Sequence, residues 1–270
     1  MSLALLIGCL DYGITAHPGD NPGGLLPPPV LSWGLDSGVA WQWQHTTENT
    51  TENTVEGAPE AIYLSTCCEL LAFDPTTQQA DSIGVYSLQG KALDYMTDIA
   101  IDPTGRMYGT SFSALYRIDP LTAEATWVAT LPDVWLDSLT FLPDGRLVAA
   151  GEGEVWLMDI ETGELQSLSH SDYTSAGDIV GLPDGLLYWS VREDNRLVVV
   201  DPKSGVAQPL DPTDYYGVYG LGYANGDLWG FSSKGHALVY DTTTGSVTES
   251  YPLSGDWWGA TTNPGLWKAP

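Results

Sequence analysis

The chain has 270 residues, with 9 Lys and Arg against 35 Asp and Glu, a formal net charge of −26 and 43% hydrophobic residues. That length holds one large or two small domains with ample apolar material for a core. The negative surface argues against nucleic acid and anionic lipid headgroups as partners, and leaves cations, metal ions and neutral sugars open.

No apolar run reaches the ~18–20 residues of a membrane-spanning helix. The chain opens instead on a short apolar stretch ending Leu6-Ile7-Gly8-Cys9. These four residues resemble the lipobox of bacterial lipoproteins, and the resemblance implies a lipid on Cys9. The charged segment that normally precedes such a run is missing, so residues 1–9 are read as a truncated signal or lipobox-like segment. A buried apolar strand with a chance Cys is the alternative. Residues 10–59 follow as a tether, with Pro27-Pro28-Pro29 and the low-complexity run Thr46 to Thr54. Pro-, Gly- and Thr-rich polar sequence cannot bury enough surface to fold alone. Within it, Val30 to Gln44 carries Trp33, Trp41 and Trp43 in a strand-like pattern that can pack on the domain as a hairpin.

Residues 60–270 are periodic. Five segments pair a strand with an Asp-led turn, at Asp74, Asp119, Asp159, Asp201 and Asp241, about 40–45 residues apart, which is the spacing of propeller blades. Asp at the head of such a turn accepts hydrogen bonds from backbone N–H groups two or three residues ahead, and Gly supplies the positive φ. A second element precedes four of the five turns by about half a period, at Asp98 to Gly105, Ser138 to Gly145, Asp178 to Gly185 and, in a weaker copy, Gly220 to Gly226, and a further weak copy lies at Gly259 to Gly265. Its Asp-Gly and Asn-Gly pairs announce hairpins. Four strands per repeat joined by short turns make a propeller blade.

The two series are out of step. The turn at Asp74 has no inner-strand copy before it, and the copy near Gly259 has no turn after it. A linear array would leave both ends as bare sheet edges. The reading is therefore an all-β, five-bladed propeller of four-stranded blades, closed by the C-terminal strand joining the N-terminal blade. Leu115-Tyr116-Arg117-Ile118-Asp119-Pro120 and Met158-Asp159-Ile160-Glu161-Thr162-Gly163 resemble the bacterial YVTN/NHL/quinoprotein-like propeller superfamily, over residues 61–265. That resemblance implies the fold far more than the function. The quinone site of the quinoprotein enzymes has no match here, so their activity is not carried over.

The connections between blades hold a third repeat: Asp94-Tyr95, Asp133-Val134-Trp135, Asp172-Tyr173, Asp214-Tyr215-Tyr216 and Asp256-Trp257-Trp258. Each places an acid and an aromatic just before an innermost strand, at one mouth of the central channel. Aromatic faces stack on sugar rings while acids accept hydroxyl hydrogen bonds, or the same groups hold a cation. The competing explanation is that each ring seals a blade junction and each Asp caps its loop. The doubled aromatics exceed a sealing need.

The expectation is an exported binding module, lipid-anchored in a cell envelope, taking a glycan or cationic group at that mouth. A scaffold for a protein partner is the alternative, and a glycoside hydrolase using Asp98, Asp137 and Asp178 is another. No catalytic residue, metal ligand or cofactor is assigned, because the four His are scattered and no phosphate loop or nucleophile elbow appears. Adjacent Cys67 and Cys68 fall on the mouth rim, either as a vicinal disulfide or as two thiols.

Overall fold

The computed structural model describes residues 61–93 and 95–267. The lipobox with Cys9, the tether with its Val30–Gln44 stretch, and Asp94 lie outside the described residues.

Five antiparallel sheets form the ring. Blade 1 takes Gly259–Thr261 as its inner strand, followed by Ile62–Ser65, Glu69–Asp74 and Gln79–Val85. Blade 2 runs Asp98–Ile101, Met107–Thr110, Ala114–Ile118 and Glu124–Thr130 from inside to outside. Blade 3 runs from Ser138–Phe141 out to Leu165–His170, and blade 4 from Ser175–Gly181 out to Ala207–Pro212. Blade 5 runs from Val218–Ala224 out to Val247–Pro252. The chain ends meet as the out-of-step repeats require: Tyr63, Leu64 and Ser65 pair with Thr261, Ala260 and Gly259. One feature was not anticipated. Two short strands in the blade 1–2 connection, Ser87–Leu88 and Lys91–Ala92, extend blade 2 to six strands, the first running parallel to its outer strand.

Strand periodicity explains how the ring coheres. Successive side chains point to opposite sheet faces, so each blade divides its apolar residues between two neighbours. In blade 2, Ile99, Ile101 and Met107 pack toward blade 1, whereas Ala100, Tyr108 and Leu115 pack toward blade 3. Five such clusters fill the five junctions, including the closing one, where Ile62, Leu64 and Phe73 of blade 1 meet Trp229 and Phe231 of blade 5. Inner strands are buried on both faces and crowd at the axis, so small residues occur there. A Cβ on Gly222 would sit 2.7 Å from the Cγ2 of Ile62.

The turns form as the sequence leads one to expect. Asp159 Oδ1 accepts from the N–H of Glu161 at 2.9 Å and of Thr162 at 2.8 Å, while Gly163 N–H donates to the Asp159 carbonyl. Asp241 repeats the pattern with Thr243 and Thr244. Backbone hydrogen bonds hold these exposed carboxyls below the usual carboxylate range at Asp74, Asp159 and Asp201. Both turn series lie on one rim. The connections between blades and the loops between second and third strands lie on the other, which carries the candidate site.

Candidate functional site

The axis beneath this rim is filled by side chains. Asp98 and Asp178, from the inner strands of blades 2 and 4, are fully buried. Inner strands lack a neighbour on their axial side, so their axis-facing N–H groups need acceptors. Asp98 accepts from Leu139 N–H of blade 3 and, at 2.7 Å, from its own strand at Ile99. Asp178 Oδ2 accepts from Leu221 N–H of blade 5 and, at 3.0 Å, from Ala260 N–H of blade 1. Threonines add further ties: Thr261 Oγ1 accepts from Ile101 N–H at 3.2 Å, and Thr140 Oγ1 from Gly181 N–H at 3.1 Å.

The two carboxyls meet at the axis. Burial pushes both well above the usual range, and the neighbouring Asp178 charge raises Asp98 further, while Asp178 Oδ1 is buried with no hydrogen-bond partner. Two carboxyls buried together in this way favour holding one proton between them over ionising both. A Cβ at Gly259 would overlap Asp98 Oδ1, so this inner-strand position has room only for glycine. The sequence reading offered Asp98 and Asp178 as candidate carboxyls of a glycoside hydrolase. They are instead internal ties, because inner-strand geometry turns them to the axis.

Asp137 behaves differently. It sits at the mouth with Trp135 Nε1–H donating to its Oδ2 at 3.2 Å and Ser138 Oγ–H donating to its Oδ1 at 3.1 Å. Burial raises its pKa, opposed by hydrogen bonds from Ser175, Trp135 and Ser138 and by the Arg192 charge. Arg192 is anchored by its Nε–H to the Ser175 carbonyl at 2.9 Å.

Beside Asp137 stands a row of three rings. Tyr95, 44% exposed, faces Phe112 at 6.2 Å between centroids, and Phe112, 37% exposed, faces half-buried Trp135 at 5.0 Å. Phe112 comes from a loop between second and third strands and escaped the sequence reading, which searched only the connections between blades. Its position in a two-stranded loop on the same rim was the available signal.

The other residues of the acid-aromatic repeat divide. Asp133, Asp172, Asp214 and Asp256 are exposed. Tyr173 packs on the blade 3–4 core and Tyr215 on the blade 4–5 core. Tyr216 is 55% exposed, with Lys234 Nζ 5.7 Å from its ring centre. Trp257 is only 2% exposed and belongs to the closing core, so its ring does not line the mouth, whereas half-buried Trp258 keeps its Nε1–H toward Asp256 at 3.4 Å. In both doublets one ring seals the junction and its neighbour faces out. Cys67 and Cys68 are joined as a disulfide on the same rim.

On the opposite rim a concavity of about 340 Å³ is lined by residues including Arg146, Leu157, Met158 and Asp159. Its lining holds no aromatic ring. The connector rim therefore offers more for recognition.

Fold and site define a five-bladed β-propeller whose axis is tied by buried carboxyls. No protein-family model and no curated protein matches the chain. Among solved structures, a symmetrical protein from a study of de novo evolutionary emergence shaped by folding constraints is 17% identical with a TM-score of 0.53, over 74% of this chain and 97% of that one. Virginiamycin B lyase from Staphylococcus aureus is 18% identical with a TM-score of 0.45, over 73% and 70%. A chain of a nidogen/laminin complex is 12% identical with a TM-score of 0.49, over 75% and 98%. The first likeness supports the propeller fold, and the weaker two add nothing to it.

Proposed function

We propose that this chain is an exported, lipid-anchored binding module that takes a glycan at the connector rim, against Tyr95, Phe112 and Trp135 beside Asp137. The observation that carries the reading is the row of three rings, contributed by two connections and one loop and left open to solvent next to a hydrogen-bonding carboxyl. Flat rings stack on the apolar face of a sugar, and the carboxyl suits its hydroxyl groups.

A cationic ligand fits less well. Arg192 already faces Asp137, and Lys234 already lies over the exposed ring of Tyr216. Hydrolysis is disfavoured by reach, since glycosidases need two accessible carboxyls at a defined separation and Asp98 and Asp178 are fully buried. Export is supported by the Leu6-Ile7-Gly8-Cys9 motif and by the Cys67–Cys68 bond, which belongs to an oxidising compartment.

A glycan array probed with the purified chain, followed by calorimetry on the strongest hit, tests the reading. Trp135→Ala with Phe112→Ala is expected to weaken that hit at least tenfold, equivalent to about 1.4 kcal/mol, while Trp258→Ala leaves it unchanged. Unchanged affinity in the double variant removes the site from this wall. An array without any hit removes the ligand class.

A further inference from the structure

The disulfide joins adjacent residues in the loop between the second and third strands of blade 1. It closes an eight-membered ring that contains ψ of Cys67 and φ of Cys68. The direction of the Cys67 carbonyl is therefore held by the bond. That carbonyl accepts from Met96 N–H at 2.9 Å, and the Cys68 carbonyl accepts from Tyr86 N–H at 2.8 Å. Tyr86 and Met96 are the two ends of the blade 1–2 connection. Thr66 Oγ1 braces the loop by accepting from Cys68 N–H at 3.2 Å and Glu69 N–H at 2.9 Å.

Tyr95 directly precedes Met96 and has φ of 66°. For a bulky residue this left-handed conformation costs about 1–2 kcal/mol and persists only where its surroundings impose it. One imposing contact is the Met96 hydrogen bond to the disulfide loop. The ring of Tyr95 then meets Phe112, and Phe112 meets Trp135. A continuous line of contacts runs from the disulfide to the aromatic wall.

We propose that Cys67–Cys68 is a reversible redox site that takes a dithiol reductant, and that its state sets the placement of Tyr95 and so completes or opens the wall. Cys68 is the more exposed of the two, with Cys67 only 6% exposed. A thiolate of the reductant attacks Cys68 Sγ, the Cys67–Cys68 bond breaks, and Cys67 leaves as a thiolate. The second thiolate of the reductant then displaces Cys68 from the mixed disulfide. Two electrons pass from the dithiol, which becomes a disulfide, and two protons end on the Cys67 and Cys68 thiols. Opening the ring frees the Cys67 carbonyl to turn, Met96 N–H loses its fixed acceptor, and Tyr95 relaxes to negative φ. The consequence for the ligand rests on the glycan reading above; the redox site and its grip on the connection do not.

The test uses the full chain with Cys9→Ser, oxidised or treated with dithiothreitol, read by alkylation and by amide hydrogen exchange. The oxidised protein is expected to take no alkyl group and the reduced protein two, since the chain has three Cys. Reduction is expected to speed exchange at Tyr86 and Met96 at least tenfold, while Ile99 and Leu139, held by Asp98, stay protected. Equal exchange in both states overturns the proposal, as do two free thiols in the oxidised protein. Cys67→Ala with Cys68→Ala is expected to exchange like the reduced form under either condition. Where Trp135→Ala has established glycan binding at the wall, reduction is expected to weaken that binding fivefold or more. Changed exchange with unchanged affinity overturns the link to the wall, whereas no binding in either state sinks the glycan reading alone.

Discussion

Asp98 and Asp178 look equivalent in the sequence but are not interchangeable. Asp98 holds the N–H groups of Ile99 and Leu139 with one oxygen each. Asp178 holds Leu221 and Ala260 with a single oxygen, and its other oxygen is buried with no hydrogen-bond partner. An amide at 178 keeps every partner: its oxygen serves Leu221 and Ala260, and its NH₂ takes the place of the unpartnered oxygen. An amide at 98 turns its NH₂ toward one backbone N–H and leaves that donor without an acceptor, a loss of about 1–3 kcal/mol. Asp98→Asn is therefore expected to lower Tm at every pH, and Asp178→Asn is not. The pH dependence follows from the sign of the shifts. Both carboxyls are raised when folded, so what the pair contributes is fully present below their unfolded value, near 3.9, and is lost as pH rises through the folded values. Asp178→Asn removes that loss. Its Tm minus that of the unchanged chain should grow steadily from pH 4 to pH 8, a comparison in which the repulsion among the other acids largely cancels. A difference that is flat or shrinks with pH would show that no proton is shared.

At the scale of the strand and turn, most of the molecule was legible beforehand. Asp followed by Thr-Gly or Ser-Gly has one economical conformation, so Asp159, Asp201 and Asp241 announced both the turn and its hydrogen bonds. Two of the five copies lack the glycine: Gln78 and Ala123 stand at the positive-φ position, with φ of 54° and 59°. The other three place Gly163, Gly205 and Gly245 there. At Gly163 a Cβ would lie 2.6 Å from the Thr130 carbonyl, so Gly163→Ala adds a clash to the ~1–2 kcal/mol backbone cost. Gln78→Gly relieves that backbone cost and gives up only side-chain hydrogen bonds to the Pro75 and Thr76 carbonyls. Urea unfolding should find Gly163→Ala destabilised by about 2 kcal/mol or more and Gln78→Gly neutral to about 1 kcal/mol more stable. What period-2 patterning could not supply was the outcome for adjacent aromatics. Whether Trp257 or Trp258 enters the core depends on the phase of the connection relative to the closing strand. Gly255 helps decide it, since any Cβ there would overlap the inward Trp257 ring.

The ring as a whole was read from a mismatch in phase between two series of repeats, and the pairing of Gly259–Thr261 with Ile62–Ser65 bears that reading out. The cross-axis ties were not legible, because a strand sequence does not say which inner-strand residues will face one another once five blades converge. Those ties make closure a property of the whole molecule. The closing strand supplies the inner edge of blade 1, the Ala260 N–H bound by Asp178, the Thr261 hydroxyl bound by Ile101, and Trp257 in the blade 5–1 core. Removing residues 256–270 takes all four away at once. Loss of the buried Trp alone costs about 3–5 kcal/mol, against ~5–15 kcal/mol for the stability of an ordinary domain. It also bares the edge of Ile62–Ser65, takes one donor from Asp178 and leaves the Ile101 N–H without its acceptor. The shortened chain should therefore show no cooperative thermal transition by circular dichroism and should elute as an expanded or associating species. Supplying residues 256–267 at the other end, joined ahead of residue 61 by a flexible linker, restores the same strand to the same edge through a continuous blade. That permuted chain should melt cooperatively within a few degrees of the parent. If the shortened chain melts as the parent does, closure by this strand is not what holds the ring; if the permuted chain fails while the parent folds, the strand's contribution depends on more than its place beside Ile62–Ser65.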